Sequence, residues 1–350
     1  MDSAKMGRAA LAAVGVIGLV VFSFTVFRTS GSPLSTSALA SIPNSMRVAV
    51  IADLDKQSRM ADAKGMWGSI FKTGTLMYDA PNQFFSIEWD EDKWLHSRHA
   101  EGVRGLELSE LVSFGGRLLT CDDRSGIIFE VLDARGDSPR VVPRHIMMEG
   151  DGNTDKGFKC EWMAVKGDKL YVGSFGKEYT TPDGGVKNRN NMWVMVFNAK
   201  FDMVREDWVQ QFTNLREHFG YAFPAYLLHE TVMWSETRSK WVFLPRRMSK
   251  EAYNDVLDES KGANTVMLAN EAFTDFESFT VGTLTPTRGF STAKFVPGSR
   301  EGVVVAIKSE ENAELNTQAS YITVFNMKGE ELMRETQIPG RHKYEGVEFL

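Results

Sequence analysis

At 350 residues, 43% hydrophobic and 25% charged, the chain is long enough for one large domain or two smaller ones, and too apolar to be disordered. Its formal net charge of -6 argues against a general nucleic-acid binder, which needs clustered Lys and Arg to neutralise phosphates. Two cysteines, Cys121 and Cys160, are too few for a disulfide framework or a cysteine-based metal site. They sit in or beside predicted strands, where one bridge between neighbouring units and two buried thiols are both open.

Residues 1–8 carry Lys5 and Arg8 and precede the uncharged apolar run Ala9–Phe27. The run is close to the roughly 20 residues that a bilayer crossing takes. Its length and positive flank favour a signal anchor at 9–27 with residues 1–8 in the cytosol. The expected product is a single-pass type II protein of the secretory pathway, in the ER or Golgi lumen. The rival is a cleaved signal peptide, for which Ala38-Leu39-Ala40 before Ser41 offers a small-residue site and secretion the outcome. Residues 28–45, rich in Ser, Thr, Pro and Gly, read as a flexible stalk.

From 46 to 350 the pattern is mainly β, with one short helical stretch near Asp207–Phe219. A local phrase recurs, a Glu or Ser opening a short strand, in LELSELVSF, KCEWMAVKG, LHETVMWSE, GFSTAKFVP and the final KYEGVEFL. Aligned on Ser109, Glu161, Glu230, Ser291 and Glu345, the phrases lie about 50–70 residues apart, the length of a propeller blade. A second strand returns after each of the first four and ends in charge: LLTCDD, LYVGSFGKE, WVFLPRR and VVVAIKSEE. The fifth phrase lacks one, and RVAVIADLD at the start of the domain has the form to supply it. An all-β, five-bladed propeller follows, closed by pairing of the N- and C-terminal strands so that no seam is left open. A β-sandwich or a six-bladed ring is the alternative.

The first strand of each blade lines the channel of a propeller, which brings the five aligned residues to the axis. Three converging carboxylates repel and call for a cation. Oxygen donors without His or Cys select a hard ion, and a wide mixed ring suits Ca2+ better than Mg2+. On strand alternation Glu107 competes with Ser109 for its place. The charged ends of the second strands gather at one mouth: Asp53 and Asp55, Asp122 and Asp123, Lys177 and Glu178, Arg246 and Arg247, Lys308 and Glu310. Arg and Lys suit phosphate oxygens, and a carboxylate beside a metal can orient water. His229 points away from the channel into the core. The run Glu149–Asn153 lacks the spacing of an EF-hand loop and reads as a loop over the mouth, with Asp151 as a substrate contact. Trp162, Trp193, Trp234 and Trp241 read as blade packing.

With these residues in view, the chain resembles the calcium-activated nucleotidase family, the soluble apyrases that include bed-bug-type salivary enzymes. The matching strings run in order from Arg47 to Leu350: RVAVIADLD, SIEWD, LELSELVSF, CDDRSG, GDGNTDKGFK with EWMAVK, LYVGSFGKE, LHE with WSE, FLPRR, KGAN, PTRGFSTAKF, VAIKSEE, ASYI and KYEGVEFL. The stretches Trp94–Val103 and Thr180–Asn191 fit less well, as does Cys160. The resemblance implies one calcium in the tunnel of a five-bladed propeller and hydrolysis of nucleoside di- and triphosphates to inorganic phosphate. It implies Ser109, Glu161, Glu230, Ser291 and Glu345 as metal ligands, with Ser109 favoured over Glu107. It places Asp53, Asp123, Lys177 and Glu178 at the mouth. Catalytic roles are expected for Asp53, Asp123 and Glu178, and substrate contacts for Lys177, Arg246, Arg247 and Asp151. Expected partners are the nucleotide substrates, the membrane through the anchor and no nucleic acid; a homodimer is left open. A calcium-centred propeller lactonase or esterase and a non-catalytic binding scaffold stand as alternatives.

Overall fold

A computed structural model describes residues 41–181, 185–312 and 317–350. The expected anchor and the stalk up to residue 40 lie outside the described residues. Among the described residues no helix is long and apolar enough to cross a membrane. The folded chain starts before Met46, because Ile42 is already buried in the core that receives β1.

Five antiparallel four-stranded sheets follow one another. The first holds β1 (Ser45–Asp53), β2 (Trp67–Asp79) and β3 (Phe84–Ser97). The second holds β4 (Leu108–Phe114), β5 (Arg117–Asp122), β6 (Ile127–Leu132) and β7 (Arg140–Ile146). The third runs β8 (Trp162–Lys166), β9 (Lys169–Gly173), β12 (Trp193–Phe197) and β13 (Met203–Asp207), with a small hairpin of β10 (Tyr179–Thr180) and β11 (Val186–Asn188) between its second and third strands. The fourth holds β14 (Tyr226–Ser235), β15 (Lys240–Ser249), β16 (Thr265–Asn270) and β17 (Phe276–Thr280). The fifth holds β18 (Arg288–Phe295), β19 (Val303–Asn312), β20 (Thr317–Asn326) and β21 (Glu331–Gln337). The last strand, β22 (Lys343–Phe349), joins the first sheet against β1. One helix of any length, α1 (Val209–His218), lies where the sequence placed it.

The closure is as expected: β22 pairs antiparallel with β1, Val347 opposite Val50 and Lys343 opposite Asp53. Strands β4, β8, β14, β18 and β22 touch one another in cyclic order and form the inner ring. Each blade presses on the next through its own apolar cluster, one per junction. Strands in and next to the inner ring are covered on both faces, so β14 is a continuous buried run and β1 a nearly continuous one. Outer strands such as β7 alternate between half-buried and exposed positions and carry charge, and β7 admits Pro143. That relaxed demand is why the repeat is blurred in the outer strands. Trp162, Trp234 and Trp241 sit in the cluster between the third and fourth blades, and Trp193 packs against the neighbouring one, all as expected.

Where the sequence left two thiols and one bridge open, Cys121 and Cys160 form a disulfide between the second and third blades.

A charged channel mouth as the candidate active site

The inner strands do not run regularly past the axis. The β4–β5 ladder breaks after Ser109, the β14–β15 ladder around Glu230, the β18–β19 ladder at Ser291 and the β1–β22 ladder at Glu345. At the start of β8, the Glu161 amide donates to the Gly173 carbonyl while Trp162 pairs with that same glycine. A bulge inserts a residue without a partner and re-aims its side chain. Every one of the five aligned residues therefore sits at a local irregularity. Gly346 permits the last of them, since a Cβ there would come within 2.5 Å of the Glu110 backbone on β4.

The five meet. Ser109 Oγ donates to Glu345 Oε2 at 3.1 Å, and Ser291 Oγ donates to the Tyr344 carbonyl at 2.9 Å. Arg246 donates to both Glu230 and Glu345, the latter at 2.8 Å. Glu161, Glu230 and Glu345 line a cavity of about 270 Å3 at the mouth together with Asp53, Asp55, Asp123, Arg246 and Arg247. Ser109 and Ser291 are fully buried and do not line it.

Part of the cation that these converging carboxylates call for is supplied by the protein itself. Lys159 pairs with Asp123 and lies 3.0 Å from Glu161. Lys343 lies 2.6 Å from Asp53, 3.0 Å from Glu311 and 3.4 Å from Glu345. Arg246 also holds Glu311 at 2.9 Å. The cancellation is partial. Ten carboxylates line the cavity against six cationic side chains, so the ionised mouth keeps a surplus of negative charge. Burial, opposed by Lys159 and reinforced by Glu230, Asp123 and Glu345, pushes the Glu161 carboxyl well up. Burial likewise raises Glu230 to about 7 against the pull of Arg246. Asp53 is also pushed well up by burial, in spite of Lys343. Asp123 differs: although burial works against its charge, Lys159 and then Lys343 hold it below the usual carboxylate range. Its Oδ1 is buried without a hydrogen-bond partner.

A donor set made of buried carboxylate and hydroxyl oxygens with surplus negative charge fits a hard cation. Among the described residues the acidic grouping whose ligand atoms lie within 4.8 Å of one another is a different one, Asp53, Glu107 and Asp123, and not Glu161, Glu230 and Glu345. Glu107 is gripped there by Arg104, whose Nε is 2.6 Å from Oε1.

Other residues lie elsewhere. The Glu178 carboxylate is held on both oxygens by Arg216, at 2.6 and 2.7 Å, and lies outside the cavity. Strand β9 ends at Gly173, and the chain turns at Gly176, so Lys177 and Glu178 do not continue a strand into the mouth. Lys177 stacks on Tyr253 at 3.9 Å and lines an adjoining side cavity. Asp151 is exposed, accepts from the Asn153 amide and does not line the mouth. Asp122 is spent on its turn, accepting from the Leu106, Arg124 and Ser125 amides. Lys308 and Glu310 pair with Glu335 and Arg288, and Glu311 takes their place at the mouth.

The sequence reading missed Lys159 and Lys343. Each stands two residues before a channel glutamate, and strand alternation puts such a residue on the same face, one step nearer the mouth. The signal was present in KCEW and KYEG.

His229 is buried in the core, stacked on Phe212 at 5.7 Å between ring centroids, as expected. Burial lowers it to about 3, so the folded protein refuses a proton that the unfolded chain accepts near 6.5. Stability is then lost as pH falls from about 6.5 toward 3, by about 2 kcal/mol at pH 5. The urea midpoint of a His229→Gln variant is expected to fall less steeply between pH 7 and 5 than that of wild type; parallel slopes would refute the assignment.

The fold is thus a five-bladed propeller whose mouth interleaves buried carboxylates with Arg and Lys. The model of the family described as Apyrase matches residues 54–350. Soluble calcium-activated nucleotidase 1 of Mus musculus is 44% identical over 306 residues, covering 87% of this chain and 73% of that protein. The apyrase of Cimex lectularius is 38% identical over 321 residues, covering 91% and 86%. Apyrase apy-1 of Caenorhabditis elegans is 39% identical over 305 residues, covering 86% and 83%. The chain belongs to the apyrase family, and the resemblance carried by the strings from Arg47 to Leu350 is borne out.

Proposed function

We propose that this protein hydrolyses phosphoanhydride bonds of nucleoside diphosphates, and of triphosphates, releasing inorganic phosphate in a calcium-dependent reaction at the channel mouth. The observation that carries the reading is the meeting of a surplus of carboxylates, Asp53, Asp123, Glu161, Glu230 and Glu345 among them buried, with Arg and Lys in one cavity. An acid-lined cavity repels free phosphates, so an anionic substrate enters it only with a cation present. The names of the relatives supply the same two ingredients, calcium and nucleotides.

Ser109, Glu161, Glu230, Ser291 and Glu345 would hold the calcium, which when bound neutralises phosphate charge. Asp123 accepts the proton of the attacking water at Oδ1, the oxygen left without a partner, while Lys159 holds Oδ2. Asp53 is the less available acceptor, because Oδ1 accepts from the Asp55 amide and Oδ2 lies against Lys343. Arg247 is the phosphate donor of the arginine pair: it lines the cavity and its Nη1 has no partner. Arg246, committed to Glu230, Glu345 and Glu311, orients carboxylates.

Phosphate release from GDP, UDP, ADP and ATP is expected with calcium and is expected to fall to the uncatalysed rate on adding chelator. Turnover that survives chelation would sink the calcium reading, and no turnover on any nucleotide would favour the scaffold. The lactonase alternative has no matching donor set, since no His or Asn stands among the channel residues. We further place the catalytic domain in an oxidising compartment behind the 9–27 anchor; the Cys121–Cys160 bridge supports this, because such bonds persist in the secretory pathway and outside the cell.

A further inference from the structure

The Cys121–Cys160 disulfide spans 39 residues of sequence and links Cα atoms 6.2 Å apart. Both residues are fully buried in the cluster between the second and third blades. Their neighbours in sequence and space are site residues. Cys121 lies opposite Ser109 in the β4–β5 register, its Sγ 3.4 Å from the Ser109 carbonyl. Two residues further on stands Asp123. Cys160 directly precedes Glu161 and directly follows Lys159, which contacts both Asp123 and Glu161.

Asp123 and Glu161 are buried carboxylates that raise the cost of each other's charge. Like charges in a poorly solvated site push apart. The noncovalent restraints across this junction include the apolar cluster, the Lys159 ammonium, the Arg117 and His145 contacts with Phe201 at the outer edge and backbone hydrogen bonds such as Phe158 to Met147 at 2.8 Å. Apolar packing is non-directional, and a lysine on a four-carbon stem fixes a charge without fixing a distance. A covalent bridge does fix it.

We propose that the Cys121–Cys160 disulfide is a positioning element of the site, locking the end of β5 that carries Asp123 against the start of β8 that carries Glu161. A preformed set of oxygens then meets the cation and the attacking water. This rests on the calcium reading above. The bridge touches neither substrate nor metal; it acts through the residues on either side of it.

The test uses the full chain in three forms: wild type, the double variant Cys121→Ala with Cys160→Ala, and Met333→Ala. Met333 is buried in the outer strand β21 of the fifth blade, and its truncation controls for general destabilisation. Calcium titration without nucleotide, read by calorimetry, is compared with kcat and KM at saturating calcium. The double variant is expected to bind calcium about 10- to 100-fold more weakly, as loss of a group supporting metal ligands does. Met333→Ala is expected to keep the wild-type Kd whatever its loss in Tm. If the double variant fails to fold, wild type reduced with a dithiol after folding and alkylated is titrated instead, with the same expectation. A bridge-free protein with wild-type Kd overturns the inference, and so does a loss of affinity in Met333→Ala as large as in the double variant. A wild type that binds no calcium overturns the calcium reading itself and this inference with it.

Discussion

Asp123→Asn is expected to lower kcat by about 100- to 10,000-fold, the range that loss of a general base produces. The substitution keeps the shape of the side chain and removes its capacity to take a proton. Among the mouth carboxylates, Asp123 combines a held-down pKa with a buried oxygen that has no partner. Steady-state kinetics at saturating calcium measures the loss, and a variant within a factor of a few of wild type would move the role to Asp53. Thermal melts with and without calcium add a second answer. A calcium-induced rise in Tm that persists in Asp123→Asn places the ion on Glu161, Glu230 and Glu345. A rise that vanishes places it on the Asp53, Glu107 and Asp123 grouping.

Removal of Lys343–Leu350 is the second large effect. It takes out β22 whole, with Tyr344 and Val347, both fully buried and worth about 1.5–3 kcal/mol each for burial alone. It also exposes the backbone edge of β1 and leaves Asp53 without Lys343. The expected outcome is loss of the cooperative unfolding transition by circular dichroism together with loss of calcium binding. Glu345→Gln separates the two roles, since it keeps the strand: it is expected to fold and to bind calcium weakly. A truncated protein that melts cooperatively and binds calcium would refute the coupling.

The ring was legible because it is written in the strands that must be buried on both faces. Their apolar runs, opened by Glu or Ser, leave little room for drift, and the pairing of RVAVIADLD with KYEGVEFL followed from the missing partner in the fifth repeat. The mouth was legible in part. Residues that stay within a strand, such as Asp53 in β1 and Arg246 in β15, reach the mouth. Glu178 does not, because β9 stops at Gly173 and the following turn delivers the carboxylate to Arg216 on α1, a contact between segments 38 residues apart that no local pattern encodes. The disulfide was undecidable for a similar reason: it depends on how two blades are turned toward each other. Asp151 shows the limit of composition, since an acidic, glycine-rich loop is equally well satisfied by its own Asn153.

The joint between β1 and β22 also sets an order of events. Val48 lies opposite Phe349, so this pairing joins segments about 300 residues apart and is among the most non-local contacts the domain contains. During synthesis the first sheet waits with an uncovered edge while every other blade is made, and Glu345 is the last of the channel carboxylates to emerge. A nascent chain thus carries an open strand edge for most of its synthesis, until β22 arrives to cover it.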